Sequence, residues 1–150
     1  MPRYSTQQHH SGATFLENLA ASDGEVDTLK ELKRLGEDFT TVANDGTTPV
    51  HAVIQQGHVD ALRFLKNDCN CDMSKAKNDG TTPVFIAAEQ GHENVLRFLK
   101  NECNCDMSTA ANNGATPVFI AAYRGHENVL RFLKNECNCD MSTAANNGAT

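Results

Sequence analysis

Apolar residues in this sequence come in short clusters separated by polar punctuation, and two cluster types alternate. The first is compact and nearly all apolar: Val84-Phe85-Ile86-Ala87-Ala88 and Val118-Phe119-Ile120-Ala121-Ala122. Each follows Thr-Pro, an N-cap hydroxyl with proline at the first helical position, where its missing N–H costs nothing. Each is stopped by a glycine, Gly91 or Gly125, expected in a left-handed conformation. The pattern predicts a short helix whose paired alanines permit close approach of a neighbour. The second cluster is amphipathic. Val95, Leu96, Phe98 and Leu99 stand at i, i+1, i+3 and i+4, one stripe of a helix predicted from Glu93 to about Cys103. Glu93 and Arg97 form an i, i+4 pair on its wet side. The polar run from Ser108 to Gly114 ends in Asn-Asn-Gly, turn chemistry suited to a hairpin tip.

This helix–helix–tip unit recurs. Gly80–Asn113 and Gly114–Asn147 are 34-residue segments identical at 31 positions, differing only at Thr81/Ala115, Glu89/Tyr123 and Gln90/Arg124. Gly46–Asp79 matches Gly80–Asn113 at 22 of 34 positions, and a diverged copy lies upstream, with Leu19–Gly24 (LAASDG) in the place of Ile86–Gly91. Self-similarity at a fixed period of this length marks stacked repeats. The expected division is a disordered tail over 1–13, a diverged N-terminal capping repeat over 14–45, repeats over 46–79, 80–113 and 114–147, and the opening letters of a further unit at 148–150. The capping role is expected because the first unit lacks Thr-Pro.

The string GTTPVFIAAEQGHENVLRFL (Gly80–Leu99), its copy from Gly114 to Leu133, and Thr48-Pro49-Val50-His51 resemble the ankyrin repeat. The resemblance spans roughly Phe15 to Thr150. It implies an all-α fold, an α-solenoid of stacked helix–turn–helix repeats with β-hairpin tips, that acts as a protein-binding module. It also implies that the ends of the first helices and the hairpin tips line a concave groove that grips partners. Carried over, the candidate contacts are Thr47, Gln55 and Gln56; Thr81, Glu89 and Gln90; and Ala115, Tyr123 and Arg124, with Asp45, Asp79 and Asn113 at the tips. The three differences between the near-identical repeats fall in this set, whereas the outer residues Glu93, Asn94, Lys100, Asn101 and Glu102 recur unchanged. Going from Glu-Gln to Tyr-Arg introduces two residue types enriched at binding hot spots.

Two departures from the family pattern carry expectations of their own. The steps Gly57–Gly91 and Gly91–Gly125 are 34 residues, one more than the family's period of about 33. Aligning Asp38 with Asp106 places Asn104 where Gly36 sits, so Cys103 is the inserted residue, expected to lengthen the second helix by one position. His51 becomes Phe85 and Phe119 in later repeats, so its polar tie to the loop is lost there.

Composition narrows the functional classes. With 13 Lys+Arg against 19 Asp+Glu the formal net charge is −6, which opposes non-specific binding to nucleic acid. No run approaches the ~20 apolar residues of a membrane span. The opening MPRYSTQQHHSGA has no apolar core of a secretory signal, so an intracellular, cytoplasmic rather than nuclear, location is expected.

Six cysteines form three Cys-Asn-Cys motifs at 69/71, 103/105 and 137/139. Two thiols per repeat are too few for a closed zinc site, and successive copies lie one repeat apart, about 10 Å. They read as small buried hydrophobes near a helix end, with thiol redox sensing as the alternative. His58, His92 and His126 recur at the repeat period. They are expected to bond locally at the start of the second helix, since a catalytic centre needs different partners converging on one point. His9-His10 is at most a weak metal pair. No metal, cofactor or catalytic residue is expected. A second functional reading is self-association through a C-terminal face exposing parts of Val118, Ile120, Val129 and Phe132.

Overall fold

The computed structural model describes residues 24–142, and they form seven helices and no strand. The first 23 residues, including the tail, His9-His10 and the opening of the diverged repeat, and residues 143–150 lie outside the described residues. The protein divides into two compact units, residues 1–72 and 73–150. The first contains α1 (Val26–Arg34), α2 (Pro49–Ile54) and α3 (Val59–Asn67). The second contains α4 (Pro83–Gln90), α5 (Glu93–Asn101), α6 (Pro117–Arg124) and α7 (Glu127–Asn135).

Each Thr-Pro starts a helix by the mechanism expected of it. Thr82 and Thr116 are extended, and their hydroxyl oxygens accept the Phe85 and Phe119 N–H groups at 3.0 Å, satisfying one orphan donor of the first turn. At Thr48 the cap is closed from both sides: the His51 N–H donates to the Thr48 hydroxyl, and His51 Nδ1 accepts the Thr48 N–H at 2.9 Å. His51 is buried. In α4 and α6 its place is taken by Phe85 and Phe119, whose rings have no atom to accept such a return bond.

The short first helices are buried nearly all round. In α4 every residue from Pro83 to Ala88 is buried, and α4 packs against α6, with Ala87 and Ala88 fully covered. Without bulk beyond Cβ, the two helices can approach closely. The second helices bury one stripe, Val95, Leu96, Phe98 and Leu99 in α5, and leave the other wet. Gly91 ends α4 in the left-handed conformation, φ 77°.

The extra residue of the 34-residue step does not lengthen the second helix. α1, α3, α5 and α7 are all nine residues long. In the 33-residue version the Glu37 N–H donates to the Leu32 carbonyl across five positions. In the longer repeats Cys71, Cys105 and Cys139 donate to Leu65, Leu99 and Leu133 across six, at 2.9–3.0 Å. The same capping bond is thus kept and the insertion is absorbed in the turn beneath it. Gly36 (φ 93°) and Asn104 (φ 56°) both reverse the backbone in left-handed conformations, as expected from their alignment.

The tips are tight turns. Ala43, Lys77 and Ala111 each donate their N–H to the carbonyl of Thr47, Thr81 and Ala115, and Gly46, Gly80 and Gly114 donate back to the same three residues. These closures make hairpin-like reversals without extended strands among the described residues.

Candidate protein-binding surface

In the first unit, Thr47 is half-buried, and its N–H donates to the Asp45 carboxylate at 2.9 Å. Gln55 is exposed at the C-terminal end of α2, and Gln56 is half-buried one residue on.

In the second unit, Thr81 is half-buried and donates its N–H to Asp79 Oδ1 at 2.9 Å. The side chain and backbone of Thr81 together hold the Asp79 carboxyl below the usual carboxylate range. Glu89 and Arg124, one residue out of register in successive repeats, are brought together: Arg124 Nη2 donates to Glu89 Oε2 at 3.0 Å. Gln90 is exposed. Tyr123 is 74% exposed and stacks on Phe119 from the preceding turn of α6, with ring centroids 6.0 Å apart and planes within 20°. Ala115 differs from the rest. It is 3% exposed, so it offers a partner almost no side chain.

The pair Glu89–Arg124 changes the meaning of the substitutions. Arg124 is half-exposed and Glu89 about a quarter exposed, so the new cation is partly neutralised by the previous repeat. Among the outer residues, Glu93 and the Glu102/Glu136 position have a structural role as well. Arg97 forks onto Glu93 of its own helix, at 2.9 and 2.6 Å, and onto both oxygens of Glu136 in the next repeat, at 2.9 and 2.6 Å. Its guanidinium also lies 4.8 Å from the centre of the Phe132 ring. These carboxylates raise Arg97 above its ordinary range, and Arg97 lowers Glu136. The outer face therefore carries an inter-repeat clasp and is not an unconstrained reference.

Two further sequence readings are corrected by the packing. None of His58, His92 and His126 caps its own helix through its side chain. His126 instead reaches back to the previous repeat, where Nε2 lies 2.8 Å from the Glu89 carbonyl oxygen. Its ring occupies the space above Gly91, where an added Cβ would come within 2.7 Å of Nδ1. His58 covers Gly24 in the same way. His58 and His126 are inter-repeat spacers, each fitted to a glycine. Nor do Val118, Ile120, Val129 and Phe132 form an exposed end face: all four are buried. In the last repeat Ala122, Tyr123 and Met141 are exposed apolar positions, with Phe119 and Leu130 half-exposed.

The cysteines are half-buried and form no disulfide. The second thiol of each motif donates to a carbonyl of the preceding repeat's loop: Cys71 to Phe39 at 3.4 Å, Cys105 to Met73 at 3.5 Å and Cys139 to Met107 at 3.7 Å. Burial pushes the Cys71 thiol up to about 12 and Cys137 to about 11, which opposes the thiolate that reactivity requires. Among the described residues, no group of three or more His, Cys, Asp or Glu is placed to hold a metal ion, and no helix is long and apolar enough to cross a membrane.

A capped short helix, a left-handed glycine, a nine-residue amphipathic helix and a tight tip recur through both units. Family models match the sequence: the model for ankyrin repeats in three copies covers residues 17–111, and the model for the single ankyrin repeat covers 113–147. The chain belongs to the ankyrin repeat family. Its all-α repeat fold is that family's, and ankyrin repeats serve generally as protein–protein interaction modules, typically without catalysis. No curated protein significantly matches it.

Proposed function

We propose that this ankyrin repeat protein is a non-catalytic, cytoplasmic binding module that holds a protein partner on the ends of its first helices and its tips. In the first unit the contact residues are Thr47, Gln55 and Gln56. In the second they are Thr81, Glu89, Gln90, Tyr123 and Arg124; Ala115, buried and with its N–H and carbonyl both bonded within the tip, is left out. The observation that carries the reading is Tyr123: a large aromatic side chain, 74% exposed, braced by Phe119 and flanked by a half-exposed Arg124. Such a group loses little rotamer freedom on binding, since stacking already restricts it, so little ordering entropy opposes association.

The reading is tested by placing a photo-crosslinking residue at Gln90 or Tyr123, and for comparison at Asn94 or Asn128 on the second helices, in cells expressing the protein. Partner adducts are expected from the first pair of positions and not from the second. Adducts from Asn94 and Asn128 alone would overturn the assignment of this surface. Tyr123→Ala with Arg124→Ala, at unchanged melting temperature, should abolish the adduct formed at Gln90.

Self-association is the alternative use, favoured by the exposed Ala122 and Tyr123 with half-exposed Phe119 and Leu130. Light scattering at increasing concentration separates the two readings, a monomer throughout excluding the second.

A further inference from the structure

We propose that the tip joining the repeats over 80–113 and 114–147 carries a self-modification site, Asn113-Gly114, that converts to aspartyl and isoaspartyl forms without an enzyme. Three described tips share one geometry but not one residue. The corresponding positions are Asp45-Gly46, Asp79-Gly80 and Asn113-Gly114. In each, the side-chain oxygen accepts the N–H two residues on: Asp45 from Thr47 at 2.9 Å, Asp79 from Thr81 at 2.9 Å and Asn113 from Ala115 at 3.0 Å. That bond holds the Asn113 side chain back along the following peptide, whose nitrogen is the Gly114 nitrogen that must attack its amide carbon. It also draws electron density from the amide carbonyl, making its carbon a better electrophile. Glycine has no Cβ to obstruct the approach, and Gly114 already sits at φ 85°. Asn113 is exposed, so water reaches the site.

The chemistry balances with water as the only co-reactant. The Gly114 nitrogen, losing its proton, attacks Asn113 Cγ. The new C–N bond closes a five-membered succinimide, and the bond from Cγ to Nδ2 breaks to release ammonia, which carries that proton away. Water then opens the ring at either carbonyl. Opening at one returns the ordinary backbone with aspartate at 113, and opening at the other routes the backbone through the side chain as isoaspartate.

The structure also sets the relative rate and the consequence. The Gly114 N–H donates to the Ala111 carbonyl at 2.8 Å, a bond that must open before attack, so the folded tip reacts more slowly than the unfolded protein. Asn112 precedes Asn113 rather than glycine, and its own N–H and side chain are bound to Asp79 and Asn78 of the previous tip at 2.9 and 3.1 Å, so it is not a competing site. The aspartyl product reproduces the Asp-Gly of the other two tips. The isoaspartyl product adds a methylene to the backbone inside the Ala111–Ala115 closure and pulls Asn112 off the previous tip.

The full-length protein is incubated under native conditions at mildly alkaline pH, beside a second sample in urea. Residue-resolved tandem mass spectrometry follows deamidation, and enzymatic methylation of isoaspartate reports the second product. Both products are expected at Asn113 in the native sample, severalfold more slowly than in urea and severalfold faster than any change at Asn112. Asn113→Gln should remove the signal at this position, since its longer side arm makes a larger ring that closes poorly, and Asn113→Asp should leave the melting temperature unchanged. A native sample still unmodified at Asn113 when the urea sample has fully converted would overturn the proposal. Equal conversion at Asn112 and Asn113 would do the same, because it would remove the role assigned to Gly114.

Discussion

Gly91 and Gly125 end the first helices of two nearly identical repeats, with the same left-handed φ of 77°. They differ in one respect. A Cβ at Gly91 would lie 2.7 and 2.9 Å from His126 Nδ1 and Cε1, whereas a Cβ at Gly125 would meet nothing within 4 Å. Alanine at either position incurs the left-handed penalty, about 1 kcal/mol. At Gly91 it must also displace a packed ring, which costs about 1–3 kcal/mol in overpacking. The displaced ring gives up its bond to the Glu89 carbonyl, a further loss of about 1 kcal/mol. Gly91→Ala should therefore destabilise by about 3 kcal/mol or more and Gly125→Ala by about 1. At this length of protein the gap corresponds to roughly 6 °C in melting temperature. Urea titration and thermal melting by circular dichroism measure both, with the urea slope checked for constancy so that the midpoints compare like with like. A third variant isolates the cause: with His126→Ala in place, Gly91→Ala should cost about 1 kcal/mol, like its twin. Equal losses for Gly91→Ala and Gly125→Ala, or a Gly91 loss unchanged by removing His126, would refute the spacer role of the histidine.

Other consequences follow from the clasp and the thiols. Arg97→Met should lower the melting temperature more than Arg131→Met, because Arg97 bridges two repeats whereas Arg131 pairs at 3.5 Å with Glu127 of its own helix, and the difference should shrink with added salt. Glu136 is held below its ordinary value of 4.5, so its contribution to stability is complete above that pH and is lost as the pH falls below it; Glu136→Gln should flatten this part of the acid-melting curve. At pH 8 the Cys71 thiol, half-buried and bonded to the Phe39 carbonyl, should alkylate with iodoacetamide far more slowly in the native protein than in urea, and equal rates would contradict its placement.

Much of the fold is legible in local sequence because the repeat's punctuation acts locally. Thr82-Pro83 caps a helix, Gly91 ends it and Asn104 reverses the backbone through contacts within a few residues of themselves. What lies between repeats is less legible. The extra Cys103 is expected from sequence to lengthen a helix, yet the helix keeps its nine residues and a wider turn beneath a preserved capping bond accommodates the insertion. The Arg97–Glu136 and Arg124–Glu89 pairs link residues 39 and 35 positions apart, and a period of 34 points to them only once the reach of the side chains between neighbours is known.

The sequence by itself determined the repeat, its period, the capped helix pair, the turn chemistry of the tips and the family. Tertiary structure alone decided what each copy of a residue does. Ala88 and Leu96 are fully buried, while their counterparts Ala122 and Leu130 are exposed and half-exposed in an almost identical stretch of sequence. The reason is physical: burial in stacked repeats is conferred by the neighbour, so identical sequences acquire different surfaces according to what packs against them.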